Sequence, residues 1–92
     1  MEEKTADEIA AIFSAAGDSV TVINADASYS AYTTRTGSSN TETEWKEMIQ
    51  RNTEHLEIIK AYTKVDGTTS IWTSESFTAI DAAITTGKAI YS

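Results

Sequence analysis

His55 stands between two carboxylates in Asn52-Thr53-Glu54-His55-Leu56-Glu57, the one place where this sequence sets a histidine among acids. A zinc protease helix needs two histidines four residues apart with a glutamate between them, and the second histidine is missing. A lone histidine beside glutamate on a helix reads as a half-exposed polar contact. The chain has no cysteine, which excludes a thiolate zinc site, a cysteine nucleophile and a disulfide framework. Gly87-Lys88 lacks the upstream glycine and the following Ser/Thr of a phosphate loop, and Gly37-Ser38-Ser39 lacks the Gly-x-Ser-x-Gly form. With one histidine there is no partner for a separate Ser-His-Asp triad either. Asp66-Gly67-Thr68 lacks the alternating ligands of a calcium loop. Paired carboxylates could in principle cleave a glycosidic bond, but here they fall at helix starts or on a polar helix face, where they read as solvated charges. The expectation is a protein that is not an enzyme, with no catalytic residue, no cofactor and no metal.

The elements that would position any site must fit into 92 residues, enough for a single domain over 1–92 with one modest core. Apolar residues make up 40% and charged residues 23%, which is compatible with folding. Fourteen acidic against seven basic residues give a net charge of -7, so a nucleic-acid backbone would be repelled and direct nucleic-acid binding is not expected. No apolar run approaches the roughly 18 residues of a membrane helix. Met1-Glu2-Glu3-Lys4 is acidic where a secretory signal would be basic and then apolar, so the expectation is a complete small product made in the cytoplasm.

Thr5-Ala6-Asp7-Glu8 has the form of a capping box, and Ile9, Ile12, Phe13 and Ala16 follow at helical spacing; Gly17 is expected to stop this helix. From Ser19 to Thr36 the pattern alternates, with Val20 and Val22, then Tyr29, Ala31 and Thr33, between hydroxyl residues. This reads as two strands joined through Asn24-Ala25-Asp26-Ala27. A second capping box, Thr41 to Glu44, opens a helix over 43–62 whose face is Trp45, Met48, Ile49, Asn52, Leu56 and Ile59. Val65 and Thr68 to Trp72 flank Asp66-Gly67 as a short hairpin or a third strand. A last helix starts near Thr73 and carries Phe77, Ile80 and Ile84; Gly87 is expected to end it, leaving Lys88 to Ser92 as a strand or tail. The predicted fold class is therefore α+β: an antiparallel β-hairpin or three-stranded sheet packed against a central helix, with two further helices. The predicted core is Ile9, Ile12, Phe13, Val20, Val22, Trp45, Met48, Ile49, Leu56, Ile59, Phe77, Ile80 and Ile84.

Asn52 on the apolar face of the central helix requires a hydrogen-bond partner, expected in a neighbouring loop or strand or at an interface. Of the aromatics Tyr29, Tyr32, Tyr62, Trp72 and Tyr91, most are expected to serve the core and some to line a docking face, because such rings dominate interface energetics while tolerating partial exposure.

The segments Trp45-Lys46-Glu47-Met48-Ile49-Gln50-Arg51-Asn52-Thr53-Glu54-His55-Leu56-Glu57, Ile71-Trp72, and Phe77 to Ala89 resemble small accessory proteins of tailed bacteriophages, particularly marine ones. The shared pattern is a Trp-led helix with Arg-Asn-x-x-His-Leu, a loop carrying a Trp, and an Ala/Ile/Gly-rich final segment, and it covers about the second half of the chain. The resemblance implies no catalytic residue. It implies a viral context and a structural part that decorates a capsid or joins neck, tail and fibre components by protein–protein docking. The implied partners are larger virion proteins, capsid or tail subunits, with symmetry-related copies or a homo-oligomer open, and the implied location is the virion after synthesis in the host cytoplasm. The expected contacts are Tyr29, Tyr32, Arg35 and Tyr62, with the hydroxyl-rich ribbon Ser28 to Ser39 adding hydrogen bonds at a partner's sheet edge. The alternative is a small acidic cytosolic regulator that occupies a basic site on a host protein.

Overall fold

A computed structural model describes residues 5–63 and 66–92. Among these residues the structure is all-helical and contains no strand. Four helices follow one another: α1 (Ala6–Ala25), α2 (Tyr29–Thr36), α3 (Glu42–Lys60) and α4 (Ser74–Tyr91).

The expected α+β class is thus overturned, and the error lies chiefly in residues 19–36. Thr5 caps α1 as expected, its side chain accepting from the Glu8 amide at 3.1 Å. Gly17 does not stop the helix. An interior glycine costs roughly 1 kcal/mol relative to alanine, and the apolar stripe simply continues past it: Ala16, Ser19 and Ile23 are buried, with Ile12 and Val20 packed beside them. These positions keep steps of three and four, a longer-range signal than the two-residue alternation of Val20 and Val22. The expected second strand is α2, opened by Ser28, whose hydroxyl accepts from the Ala31 amide at 3.1 Å, and closed by Gly37 at φ 65°. Only glycine enters that left-handed conformation without steric cost. The ribbon proposed for Ser28 to Ser39 offers no sheet edge, because the backbone groups of 29–36 are engaged in helical bonds.

The expected hairpin near Asp66 reduces to a turn with one isolated antiparallel bridge, Thr63 to Ser70; Val65 lies outside the described residues. The Asp66 carboxylate accepts from the Thr68 and Thr69 amides, both at 2.8 Å, and from the Thr69 hydroxyl at 2.5 Å. Those bonds hold its pKa down at about 2, the hydroxyl of Thr69 being the largest cause.

α3 is the central element and touches each of the other three helices. Its full capping box at Thr41 and Glu44 forms as the sequence predicts. Trp45, Ile49, Leu56 and Ile59 are buried along one side, against Ile80 and Ile84 of α4 and Ile23 of α1. Gly87 does not end α4, which runs on to Tyr91. Its role is close approach: a Cβ there would lie 1.9 Å from Thr53 Oγ1, so the Thr53 side chain of α3 packs directly on the backbone of α4 at this point. Two ion pairs span the same helices, Lys60 to Asp81 at 2.7 Å and Lys88 to Glu57 at 3.4 Å. The bundle is elongated, 45 × 24 × 20 Å.

Candidate functional site

α1 and α4 meet less completely than α3 and α4. Between them lies a groove of about 280 Å³, lined by Phe13, Ala16, Gly17 and Val20 from α1 and by Trp72, Thr73, Ser76, Ala79 and Ile80 from α4 and its approach. Trp72 is a buried part of that lining. The indole is fixed by its Nε1–H donating to Ile59 O at 2.8 Å, and the Phe13 ring lies against it at 4.8 Å between centroids, tilted by 58°. Phe13 was expected in the core, yet it is 41% exposed and serves as the rim of this groove. Phe77, also a core expectation, is 37% exposed and lines a second groove with Glu57, Lys60, Asp81 and Lys88, where the Lys60 ammonium sits 5.3 Å from its ring centre. That second groove is crossed by the two ion pairs, so its charges are already matched. The α1–α4 groove is almost wholly apolar in its lining side chains, with Thr73 and Ser76 at one side.

The residues expected to contact a partner divide into two places. Tyr29, Tyr32 and Arg35 share α2 and fasten it to the bundle. Tyr29 donates to Asn40 O at 2.6 Å and lies 6.0 Å from the Trp45 ring. Tyr32 is buried, its hydroxyl accepting from Asn40 Nδ2 at 2.8 Å. Arg35 donates through Nε and Nη2 to both Asp26 carboxylate oxygens, each at 2.7 Å, and these bonds raise its already high pKa. Asp26 is fully buried and also accepts the Trp45 indole N–H on its main-chain oxygen at 2.8 Å. One acidic residue therefore ties the end of α1 to α2 and to α3. Tyr62 lies just past the far end of α3, roughly 25 Å away along the helix axis from Trp45 at 1.5 Å per residue. The four residues do not share one face.

Asn52 has the partner that its position requires, but on its own helix: Nδ2 donates to Met48 O at 2.9 Å. His55 is exposed, and among the described residues no group of three or more His, Asp or Glu side chains is arranged to hold a metal ion. Tyr91 is pushed to a higher pKa by desolvation first and by Glu57 and Glu54 second. No helix among the described residues is long and apolar enough to cross a membrane.

The groove was not recognised from the sequence. The signal the sequence offers is Gly17, an interior helix glycine with no turn to make, at the position where a helix stop is expected. No protein-family model matches the chain, and no curated protein or solved structure matches it.

Proposed function

We propose that this protein is a non-enzymatic docking module, a virion accessory part of a tailed phage that joins or decorates larger capsid, neck, tail or fibre subunits. The observation that carries the docking half of this reading is the open apolar groove lined by the exposed Phe13 ring and the buried Trp72, on a bundle whose buried side-chain polar atoms all have partners among the described residues. Apolar grooves flanked by aromatic rings are where partner side chains gain most on burial. The viral half rests on the resemblance of the segments that form α3, the Trp72 turn and α4. Affinity in this reading comes from shape and apolar contact, and the net charge of -7 governs encounter with a basic surface. Mass spectrometry of purified particles tests it: the protein should be present at high, symmetry-related copy number, and its absence from particles would refute the virion assignment.

One observation favours the acidic-regulator reading. Ile58 on α3 is 60% exposed, with Glu54 one helical turn before it and Glu57, paired with Lys88, next to it in sequence. A basic host surface with an apolar centre would fit it. Binding there should weaken steeply with salt and be lost in Glu54→Lys/Glu57→Lys, with the protein missing from particles.

A further inference from the structure

α2 is held to the molecule differently from the other helices. α1, α3 and α4 bury apolar stripes against one another, whereas Tyr32 is the buried residue of α2. With eight residues, α2 is shorter than the roughly 12–15 that an isolated helix needs in water. Thr33, Thr34 and Thr36 are β-branched and favour the helix weakly. α2 therefore owes its helical form to being docked.

Two sets of contacts hold it. The first lies within the segment. Tyr29 donates to Asn40 O at 2.6 Å, Asn40 Nδ2 donates to the Tyr32 hydroxyl at 2.8 Å, and the Thr36 hydroxyl donates to Tyr32 O at 2.8 Å. The Ser38 amide donates to Thr36 Oγ1 at 3.2 Å and the Asn40 amide to Ser38 Oγ at 3.0 Å. These bonds tie α2 to the loop that follows it, so residues 28–40 form one piece, bounded by the turn at 26–28 and by Thr41, the cap of α3. The second set joins that piece to the bundle: the Arg35 guanidinium on both Asp26 carboxylate oxygens, each at 2.7 Å, the Tyr29 ring 6.0 Å from the Trp45 ring, and the burial of Tyr32. Asp26 stands on the bundle side of this joint, because its N–H donates to Val22 O and its main-chain oxygen accepts from the Trp45 indole, both at 2.8 Å.

We propose that residues 28–40 are a strap that opens as one unit while α1, α3 and α4 stay folded, with the Arg35–Asp26 pair as its latch. A buried carboxylate keeps its charge at low cost only while it is paired, and the fully buried carboxylate of Asp26 has Arg35 as its partner among the described residues. Loss of that pair favours the open form, in which water reaches Asp26. Opening uncovers the Trp45 ring and frees Tyr29, Tyr32 and Arg35 together, three side chains that are engaged within the chain when the strap is closed. The open strap loses its helix, since eight residues do not hold one alone.

Native-state hydrogen exchange on the full chain tests it. The Tyr32 and Gly37 amides, bonded to Ser28 O and Thr33 O, should exchange about tenfold or more faster than those of Ile49, Leu56 and Ile84. Denaturant below the unfolding transition should hardly change the strap rates, because a short segment exposes little surface when it opens. In Arg35→Ala the Tyr32 and Gly37 amides should lose most of their remaining protection while Leu56 and Ile84 stay protected, and Arg35→Lys, which keeps a cation near Asp26, should fall between. Limited trypsin digestion reads the same opening without a substitution: the native chain should be cut after Arg35 before it is cut after Lys46 or Arg51 of α3. Equal rates and equal denaturant slopes for Tyr32, Gly37 and Leu56 would overturn the proposal. So would unchanged Tyr32 protection in Arg35→Ala, loss of Leu56 and Ile84 protection together with that of Tyr32 in the same variant, or trypsin cutting α3 first.

Discussion

α4 packs against α3 on one side and α1 on the other, and each of these seams has a glycine in mid-helix. At the α3–α4 seam Gly87 is buried against Thr53 and the helices touch; at the α1–α4 seam Gly17 is exposed and the helices part around a groove. The same residue type therefore serves opposite ends. Gly87 removes a side chain so that two parts of this chain can meet, and Gly17 removes one where a Cβ would meet nothing within 4 Å among the described residues. What separates them is not visible in either local sequence, Ala-Gly-Asp or Thr-Gly-Lys; it depends on what the third dimension places opposite.

Substitutions at the two glycines break this comparison most directly. Gly87→Val should have the largest effect, about 3 kcal/mol of destabilisation, because its branched side chain must displace Thr53 in a packed interior. Chemical denaturation measures it. Gly87→Ala should cost less, about 1–2 kcal/mol, since the clash is partly offset by better helix propensity. Combining it with Thr53→Ala should recover part of that loss, because the nearest clashing atom, Thr53 Oγ1, is gone. If Gly87→Ala were neutral without that second change, the closed seam would be looser than described.

Next in size is the junction that holds α2. Asp26→Ala removes both acceptors of Arg35 from a fully buried position and should cost about 2 kcal/mol, seen as a midpoint fall of roughly 8–15 °C by thermal circular dichroism. Helical signal should largely persist, since α1, α3 and α4 do not depend on that pair.

How far the sequence revealed this architecture follows from the range of the signals. Thr41 with Glu44, Thr5 with Glu8, and Trp45-Ile49-Leu56-Ile59 were legible because caps act over three residues and this amphipathic face repeats over about four turns. Residues 19–36 were misread because Ser, Thr, Tyr and Val suit both strands and helices, and a two-step alternation spans too few residues to outweigh a stripe running from Ile12 to Ile23. The Ser28 cap and the Gly37 close are signals for an eight-residue helix that the hydroxyl content, equally suited to a strand, masks. For the site, aromatic surplus pointed to docking, but Tyr29 and Tyr32 were separated from Phe13 and Trp72 only by tertiary contacts. Phe13 sits on the same stripe spacing as core residues, so its 41% exposure could not be read from periodicity.

Gly17→Ala sharpens the open half of the comparison. It should stabilise the chain by about 0.5–1 kcal/mol, raising the unfolding midpoint by a few degrees, because alanine favours the helix and meets no neighbour. The opposite sign from Gly87→Ala is the diagnostic feature. A fall in the midpoint would mean that Gly17 has an internal role.

The smallest effect is expected from the Asp66 turn. Its folded pKa of about 2 lies below the roughly 3.9 of an unfolded aspartate, so the contribution is present above that unfolded value and fades as pH falls through the window toward 2. The group is solvent-exposed, which keeps the contribution small. Asp66→Asn, which cannot ionise, should lower stability slightly at neutral pH and converge with the native chain as pH falls toward 2, as read from denaturation midpoints between pH 7 and 2.

Mass spectrometry of phage particles assembled with equal supplies of native protein and Gly17→Leu tests the central claim, that the groove is where this module docks. The native chain should be incorporated and the folded Gly17→Leu chain depleted by about tenfold. Equal incorporation of the two chains would contradict docking through the groove.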